Sequence, residues 1–155
     1  MKRILYYSTP GIVLEIEIEE ETIMGISFCT KALNKLVESD FEQQIIRQFD
    51  EYFKGVRKQF DLPYFATGTP FQLMVWEELL KIPYGKTICY QDLASRIGNP
   101  PAQRAVGNAL NKNPMAIIIP CHRVIAKSGE IGGFAVGKKI KRMLLAIEHK
   151  YGESL

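Results

Sequence analysis

The sequence has few cysteines and no long apolar run. Its 155 residues include only Cys29, Cys89 and Cys121, and no two of these stand in C-x-x-C spacing. An odd number of cysteines leaves at least one thiol free, which favours a reducing cytoplasm over a disulfide framework. The most apolar stretch, 115–120, is far shorter than the roughly 18 residues that a membrane-spanning helix needs. We therefore expect a cytoplasmic protein with no membrane partner.

Acidic residues are scarce in the second part of the chain. The net charge is +3, from 20 basic and 17 acidic residues, but 8 basic and 11 acidic residues lie in 1–63, against 12 basic and 6 acidic in 64–155. Between Lys81 and Arg142, 11 basic residues face only Asp92 and Glu130. This stretch could meet a polyanion such as nucleic acid or could be a solvated basic surface, and charge alone favours the second interpretation.

The first third of the chain shows the pattern of a small sheet. Leu14, Ile16 and Ile18 alternate with glutamates, which is the two-residue period of a half-buried strand. Neighbouring strands are expected at 3–7 and 22–28.

A helix is predicted after these strands. Ser39 and Glu42 stand in capping-box spacing at its start, and Gly55 ends it. A further strand is expected over 58–62. The apolar residues that recur at helical intervals are Phe41, Ile45, Phe49, Tyr52 and Phe53.

From Thr69 onward the pattern becomes mostly helical. Thr69 can cap a helix whose first position suits Pro70, and Pro83 with Gly85 marks the stop. The apolar stripe of this helix is Phe71, Met74, Val75 and Leu79.

Two short helical segments, 90–97 and 102–112, are separated by Gly98 and its neighbours, which is the helix-turn-helix pattern. The second segment carries polar residues with small ones between them, and small residues allow a backbone to approach a partner closely. The polar residues are Gln103, Arg104, Asn108, Asn111 and Lys112, and the small ones are Ala102, Ala105, Gly107 and Ala109.

The last part of the chain combines a buried run with a final helix. Ile117, Ile118 and Ile119 predict a short apolar strand, after which Pro120 begins the sequence Pro-Cys-His-Arg. A glycine-containing loop follows. The final helix is expected to bury a face formed by Ile140, Leu144 and Ile147.

These patterns together predict an α/β (α+β) protein. The expected organisation is a small strand-plus-helix domain at 1–63, a linker at 64–69 with Gly68, and a mainly helical domain at 70–155 that contains the helix-turn-helix and is winged-helix-like.

Cys121 is the residue that chemistry points to most directly. It follows an apolar strand and a proline, beside His122, in the most basic region of the chain, and such surroundings lower a thiol pKa and favour the nucleophilic thiolate. Adjacent side chains of a strand point to opposite faces, so a water would relay the proton to His122. Glu148 is the candidate that orients the histidine. The alternative is an inert buried thiol beside a hydrogen-bonded loop histidine, and the residues alone leave both open.

Residues 120–124, Pro-Cys-His-Arg-Val, resemble the active-site signature of the O6-alkylguanine-DNA alkyltransferases, and the resemblance extends over most of 69–149. The other matching segments are 68–72 (Gly-Thr-Pro-Phe-Gln), Val75-Trp76, 82–85 (Ile-Pro-Tyr-Gly), Tyr90, Leu93-Ala94, 104–107 (Arg-Ala-Val-Gly), Asn113-Pro114 and 144–148 (Leu-Leu-Ala-Ile-Glu). The resemblance implies stoichiometric repair by a monomer that moves an alkyl group from O6-alkylguanine in double-stranded DNA to its own cysteine, and it leaves O4-alkylthymine open as a further substrate.

The resemblance also implies roles for single residues. Cys121 would be the alkyl acceptor, His122 the base acting through a water, and Glu148 the residue that holds the histidine ring. Tyr90 would donate to N3 of the leaving guanine, and Asn113 would hold the turn between the recognition helix and the active-site strand.

The resemblance implies a DNA-binding surface as well. Arg104 would enter the minor groove and replace the lesion base once that base is flipped out, because O6 of a stacked base cannot reach a thiol in a protein pocket. The full set of implied DNA contacts is Ala102, Gln103, Arg104, Ala105, Gly107, Tyr90 and Arg123.

The substrate pocket would include Leu110, Val124 and the loop residues Phe134, Ala135 and Val136. Phe134 stands where a tyrosine is usual in the family, and Val136 is stiff and β-branched. A pocket that accepts methyl better than benzyl is therefore expected. Residues 1–63 hold no Cys/His cluster with zinc spacing, so neither a metal nor another cofactor is expected.

Three other classes of protein fit part of the pattern. A relative that binds lesions without transfer resembles this chain, but it carries tryptophan at the position of Cys121. A cysteine hydrolase would need an oxyanion hole and leaves Arg104 unexplained. A plain DNA-binding regulator leaves 120–123 unexplained. A covalent adduct on Cys121 would separate the alkyltransferase from all three.

Overall fold

The computed structural model describes residues 2–33, 37–131 and 137–152. The chain divides into two compact units, one formed by Met1–Ala66 with Pro114–Ala116 and the other by Thr67–Asn113 with Ile117–Leu155. The predicted domain limits do not anticipate that Pro114–Ala116 joins the first unit. The predicted linker at 64–69 stays a prediction.

The first unit contains three strands, β1 (Lys2–Thr9), β2 (Ile12–Glu19) and β3 (Thr22–Cys29), which form an antiparallel sheet in the order β1-β2-β3. The positive φ of Gly11, 85°, permits the tight turn between β1 and β2. Leu14, Ile16 and Ile18 are fully buried, which confirms the predicted alternation.

Helix α1, Asp40–Phe53, packs on the sheet. It begins as predicted, because the Ser39 hydroxyl accepts a hydrogen bond from the Glu42 amide at 3.1 Å. The Tyr7 ring of β1 lies 5.5 Å from that of Phe49, and its hydroxyl donates to Asp50 at 2.8 Å. The aromatic side chains therefore join helix and sheet into one core.

The predicted strand at 58–62 is wrong. The amide side chain of Gln48 hydrogen-bonds with both backbone groups of Asp61, donating to its carbonyl at 3.0 Å and accepting from its N–H at 2.8 Å. A side chain on α1 thus satisfies the backbone groups that a strand would have paired in a sheet.

Two short segments pair with β3 instead. Ile23 forms a parallel bridge with Tyr64, and Ile26 forms one with Met115. The backbone hydrogen bonds around Met115 run from Ile26 to Pro114 at 2.9 Å and from Ala116 to Ile26 at 3.1 Å. The β3 edge is therefore covered by chain from two distant parts of the sequence.

The second unit opens with helix α2, Pro70–Leu79. The predicted Thr69 cap is confirmed, and Gln72 completes a capping box with hydrogen bonds of 3.1 and 3.0 Å. The predicted stripe is wrong at Met74, which is 45% exposed. Trp76 faces inward in its place, and its indole N–H donates to the Ala109 carbonyl at 2.9 Å.

Helices α3, Tyr90–Arg96, and α4, Gln103–Asn111, form the predicted helix-turn-helix. Gly98 turns the chain between them with a φ of 79°. The apolar faces that meet are Leu93 and Ala94 of α3 with Val106, Ala109 and Leu110 of α4, all buried.

The residues before Cys121 do not form the predicted strand. The apolar run at 117–119 is buried as expected, but Ile117 has a φ of 71°, which no strand residue adopts. The chain turns there and continues as a 3-10 turn at Cys121–Arg123. A two-residue strand, β5 (Val124–Ile125), then pairs in parallel with β4 (Ile88–Cys89).

Helix α5, Lys138–Gly152, ends the described chain. Its buried residues are Lys141, Leu144 and Glu148, whereas the predicted Ile140 and Ile147 are only half-buried. The buried face is therefore rotated from the predicted one. Among the described residues, no helix has the length and hydropathy that a membrane crossing requires. The α/β fold class, with a strand-and-helix unit before a helix-turn-helix unit, is confirmed.

Candidate active site

Cys121 begins the 3-10 turn, and the polypeptide around it is tightly bonded. Its amide donates to the Ile119 carbonyl at 2.8 Å, and the Asn113 side chain donates to the same carbonyl at 2.7 Å. The Asn113 side chain also hydrogen-bonds with the Cys121 thiol. Asn113 thus ties the end of α4 to the segment that carries the thiol, which lies in the interior at 7% exposure.

His122, Arg123 and Glu148 form a buried network beside this thiol. His122 Nε2 lies 2.6 Å from Glu148 Oε2, and the two side chains are 0% and 1% exposed. Arg123 donates from Nε and from a terminal nitrogen to the two Glu148 oxygens at 2.7 and 3.1 Å. The Gly85 amide donates to Glu148 at 3.3 Å. The carboxylate is therefore held from three sides.

The same network sets the proton affinity of its members. Burial raises the pKa of Glu148, but the interactions of the carboxylate with His122 and with the guanidinium of Arg123 outweigh burial and hold that pKa well below its ordinary range. Burial lowers the pKa of His122, the charge and hydrogen bond of Glu148 raise it, and the charges of Arg123 and Lys141 add to the effect of burial, so that the pKa is lowered. We therefore assign a neutral imidazole, so Arg123 is the group that keeps Glu148 ionised.

A neutral His122 donates its Nε2 proton to the Glu148 carboxylate. Its Nδ1 then carries the lone pair, and this atom makes no hydrogen bond with any residue that the structure describes. The ring is thus oriented with its basic nitrogen available to accept a proton.

The pKa of Cys121 differs from the sequence-based expectation. Burial raises it above the ordinary value of a thiol, while the Asn113 hydrogen bond and the charge of Lys141 lower it to a smaller extent. The expectation of a lowered pKa considered basic neighbours and not the low polarity of the interior. In the resting protein the thiol is therefore protonated.

Lys141 is a member of the site that the sequence analysis missed. It is 1% exposed, its ammonium group donates to the Val124 carbonyl at 2.6 Å, and it lies 5.9 Å from the centroid of the Tyr90 ring. Lysine in a helix usually lies at the surface, so the residue type gave no reason to place Lys141 in a buried site. Its place seven residues before Glu148 was the available signal, because that spacing lies on one helix face.

The predicted DNA-contacting residues of α4 lie at or near the surface. Gln103, Arg104 and Ala105 are exposed, and Ala102 and Gly107 are half-buried. A side chain at Gly107 would meet no atom within 4 Å. The recognition helix therefore presents small residues, and unoccupied space at Gly107, around Arg104.

Arg123 is placed differently. Besides its two bonds with Glu148, it donates to the Ile82 carbonyl at 2.7 Å and lies over the Tyr84 ring, 5.7 Å from its centroid. Its guanidinium is fully engaged inside the unit, which argues against the predicted DNA contact and for a role in holding Glu148.

The predicted pocket is described only in part. Val124 is fully buried and Leu110 is 8% exposed, while Phe134, Ala135 and Val136 lie outside the described residues. Within 2–33, 37–131 and 137–152, no three His, Cys, Asp or Glu side chains come together as a metal site would require. The absence of a metal stays a prediction.

Family models match both parts of the chain. The model described as 6-O-methylguanine DNA methyltransferase, DNA binding domain, matches residues 70–150, and the model described as 6-O-methylguanine DNA methyltransferase, ribonuclease-like domain, matches 3–64. The chain belongs to the 6-O-methylguanine DNA methyltransferase family.

Individual relatives are similar in sequence and in fold. A methylated-DNA–protein-cysteine methyltransferase of Methanosarcina acetivorans is 50% identical over 109 residues, which are 70% of each chain. The crystal structure of Mycobacterium tuberculosis O6-methylguanine methyltransferase has a TM-score of 0.86 and 34% identity, covering 97% of this chain and 94% of that one. A structure of the M. tuberculosis protein in complex with DNA has a TM-score of 0.84 and 36% identity, covering 94% and 92%.

Proposed function

We propose that this protein repairs double-stranded DNA by moving an alkyl group from O6-alkylguanine to its own Cys121, once per molecule. Membership of the family supports the class of reaction. The observation that carries the proposal for this chain is the network of His122, Glu148 and Arg123 beside the buried Cys121. It provides a thiol with an oriented base, which a DNA-binding regulator would not need.

The proposed reaction begins with the thiol proton. Because Nε2 of His122 donates to Glu148, Nδ1 accepts the proton of Cys121 through an intervening water. The thiolate sulfur attacks the alkyl carbon, the bond between that carbon and O6 breaks, and its electron pair stays with guanine. The sulfur keeps the alkyl group as a thioether, and the proton taken from Cys121 balances the negative charge left on the guanine, which stays in the DNA strand.

Tyr90 is assigned to the leaving group. Negative charge develops on the guanine ring as the bond to O6 breaks, and a phenol hydroxyl aimed at N3 stabilises it most in a site without water. Tyr90 opens α3 directly after β4, and β4 pairs with β5, which follows the 3-10 turn of Cys121. The short parallel pair thus connects the backbone near the donor with the backbone near the acceptor.

Recognition of DNA is assigned to α4. Its exposed Arg104 and small neighbours suit the narrow minor groove, where arginine can replace a base that has left the stack. Flipping costs a few kcal/mol, and the cost is lowest for a damaged and badly paired base, which contributes to the selection of the lesion.

The remaining assignments concern the cell and the state of the protein. Cys29, Cys89 and Cys121 are all free thiols, which suits a reducing compartment, and we propose a cytoplasmic location on that basis. We also propose that one molecule acts alone on one lesion, because acceptor, base and recognition helix all belong to one chain.

The test is Cys121→Ser, compared with Cys29→Ser as the matched control in β3. A hydroxyl ionises far less readily than a thiol at neutral pH, so Cys121→Ser is expected to transfer no radiolabelled methyl from a duplex oligonucleotide to protein, while Cys29→Ser transfers as wild type does. Both variants are expected to bind the duplex within a small factor of wild type. Label on the Cys121→Ser protein would contradict the proposal.

A further inference from the structure

We propose that Lys141 is a positioning residue of the transfer reaction, whose buried ammonium group favours the thiolate form of Cys121 and fixes the end of the turn that carries it. The assignment rests on the proposed function, because a thiolate is required only if Cys121 acts as a nucleophile. Its evidence is the place of Lys141 inside the second unit.

The ammonium group is bonded to the segment that carries the thiol. Lys141 Nζ donates to the Val124 carbonyl at 2.6 Å, and the Val124 amide donates to the Cys121 carbonyl, which closes the 3-10 turn. Val124 is fully buried and Lys141 is 1% exposed. A long and flexible side chain is therefore held in one place at the end of this turn.

Burying the ammonium group of Lys141 removes it from water, which makes the free energy of folding less favourable. Burial lowers the pKa of Lys141 to about 8, and the nearby Cys121 acts in the opposite direction. The group is thus mainly protonated at neutral pH. The interaction is reciprocal, because the charge of Lys141 lowers the pKa of Cys121 against the effect of burial.

The other charged groups around the site do not duplicate this role. Arg123 is bonded to Glu148 through two hydrogen bonds, so its charge is largely balanced. Asn113 contributes a hydrogen bond to the thiol but no charge. Lys141 also lowers the pKa of His122, which keeps the imidazole neutral and able to accept the thiol proton.

Lys141 contacts the assigned leaving-group donor as well. Its Nζ lies 5.9 Å from the centroid of the Tyr90 ring, within the range of a cation–π interaction. The same ammonium group is therefore close to the residue assigned to the nucleophile and to the residue assigned to the leaving group, at the start of α3.

The experiment measures the alkylation of Cys121 by iodoacetamide between pH 6 and pH 10, followed by mass spectrometry of the peptide that contains Cys121. Wild type is compared with Lys141→Met, Lys141→Arg and Lys139→Met, the last removing an exposed lysine from the same helix. We expect Lys141→Met to react about tenfold more slowly than wild type at neutral pH. The difference is expected to shrink above about pH 8, because Lys141 loses its charge there in wild type. Lys141→Arg keeps the charge and stays within a few-fold of wild type, as does Lys139→Met.

A rate difference between wild type and Lys141→Met that stays the same at every pH would overturn the proposal, since a purely structural lysine would alter stability or rate without changing the pH profile. The same proteins are assayed for methyl transfer from a duplex oligonucleotide. If wild type transfers no methyl, the proposed function fails whatever the iodoacetamide profile shows. If transfer occurs and the profile of Lys141→Met is unmoved, only the assignment of Lys141 fails.

A second measurement needs no substitution of Lys141. The carbon next to its ammonium group is followed by NMR as a function of pH in wild type and in Cys121→Ser. Removing the ionisable thiol is expected to lower the pH at which Lys141 loses its proton. Identical titrations in the two proteins would overturn the coupling, even if Lys141→Met did not fold.

Discussion

At the residue scale, the proton route depends on the charge of Glu148. A carboxylate that accepted only from His122 would share a proton with it, whereas Arg123 keeps Glu148 ionised and leaves His122 as a neutral base. The sequence predicted the pairing of His122 with Glu148, because Glu148 lay near a buried helix face. It did not predict that Arg123 completes the network, since adjacent side chains were expected to diverge on a strand and the chain forms a 3-10 turn instead.

Glu148→Gln is expected to destabilise the protein by about 3–5 kcal/mol, because it leaves the guanidinium of Arg123 buried without its counter-ion. The control is Glu51→Gln, which breaks a more exposed pair with Arg57 at 2.8 Å and is expected to cost about 1 kcal/mol or less. Urea unfolding of both variants measures the free energies. Equal losses would mean that the buried network contributes no more than a surface pair.

The same substitution changes how stability depends on pH. The folded pKa of Glu148 lies below its ordinary value of 4.5, so its ionised form stabilises the fold above that pH and the contribution is lost as the pH falls below it. Wild type is therefore expected to lose more stability than Glu148→Gln on acidification below about pH 4.5. Parallel acid profiles would contradict the assigned charge state.

At the scale of elements, close backbone contact places Glu148 in the site. Gly85 has a φ of 81°, and a Cβ there would lie 3.1 Å from the Gly152 Cα and 3.2 Å from the Glu148 carbonyl oxygen. The sequence predicted Gly85 as a helix stop but not as the contact point of α5. Local patterns also predicted strands wrongly at 58–62 and at 117–119. The Gln48 side chain bonds the backbone of the first segment, and the left-handed conformation of Ile117 turns the chain in the second.

Gly85→Ala is expected to be more destabilising than Gly98→Ala, its matched control. Both glycines have positive φ, and an alanine there costs about 1 kcal/mol, but a Cβ at Gly98 would meet no atom within 4 Å. Overpacking against α5 adds roughly 1–3 kcal/mol at Gly85. Thermal or urea unfolding gives the difference. Gly85→Ala is also expected to slow methyl transfer by disturbing Glu148. Equal stabilities of the two variants would show that α5 moves away from the added Cβ at no cost in stability.

At the scale of the whole molecule, local sequence patterns predict single elements better than they predict which distant segments pair. Alternation at 14–18 predicted the sheet, and the caps and stripes of 69–112 predicted the helix-turn-helix. No local pattern could show that Pro114–Ala116 pairs with β3, because that pairing joins residues almost ninety positions apart in the chain. The sequence did not predict the location of Lys141 in the site for a similar reason. Whether a charged side chain is buried depends on residues that come close to it only in the folded protein.

The proposed chemistry consumes the protein, because water does not readily displace the alkyl group from a thioether and no described residue is assigned to remove it. The decisive measurement is therefore the amount of methyl transferred when wild type is mixed with a large excess of methylated duplex. We expect a plateau at one methyl per protein molecule, with intact mass increased by one CH2 and the change confined to the peptide that contains Cys121. Continued demethylation beyond that plateau, with unmodified protein, would contradict the proposed chemistry.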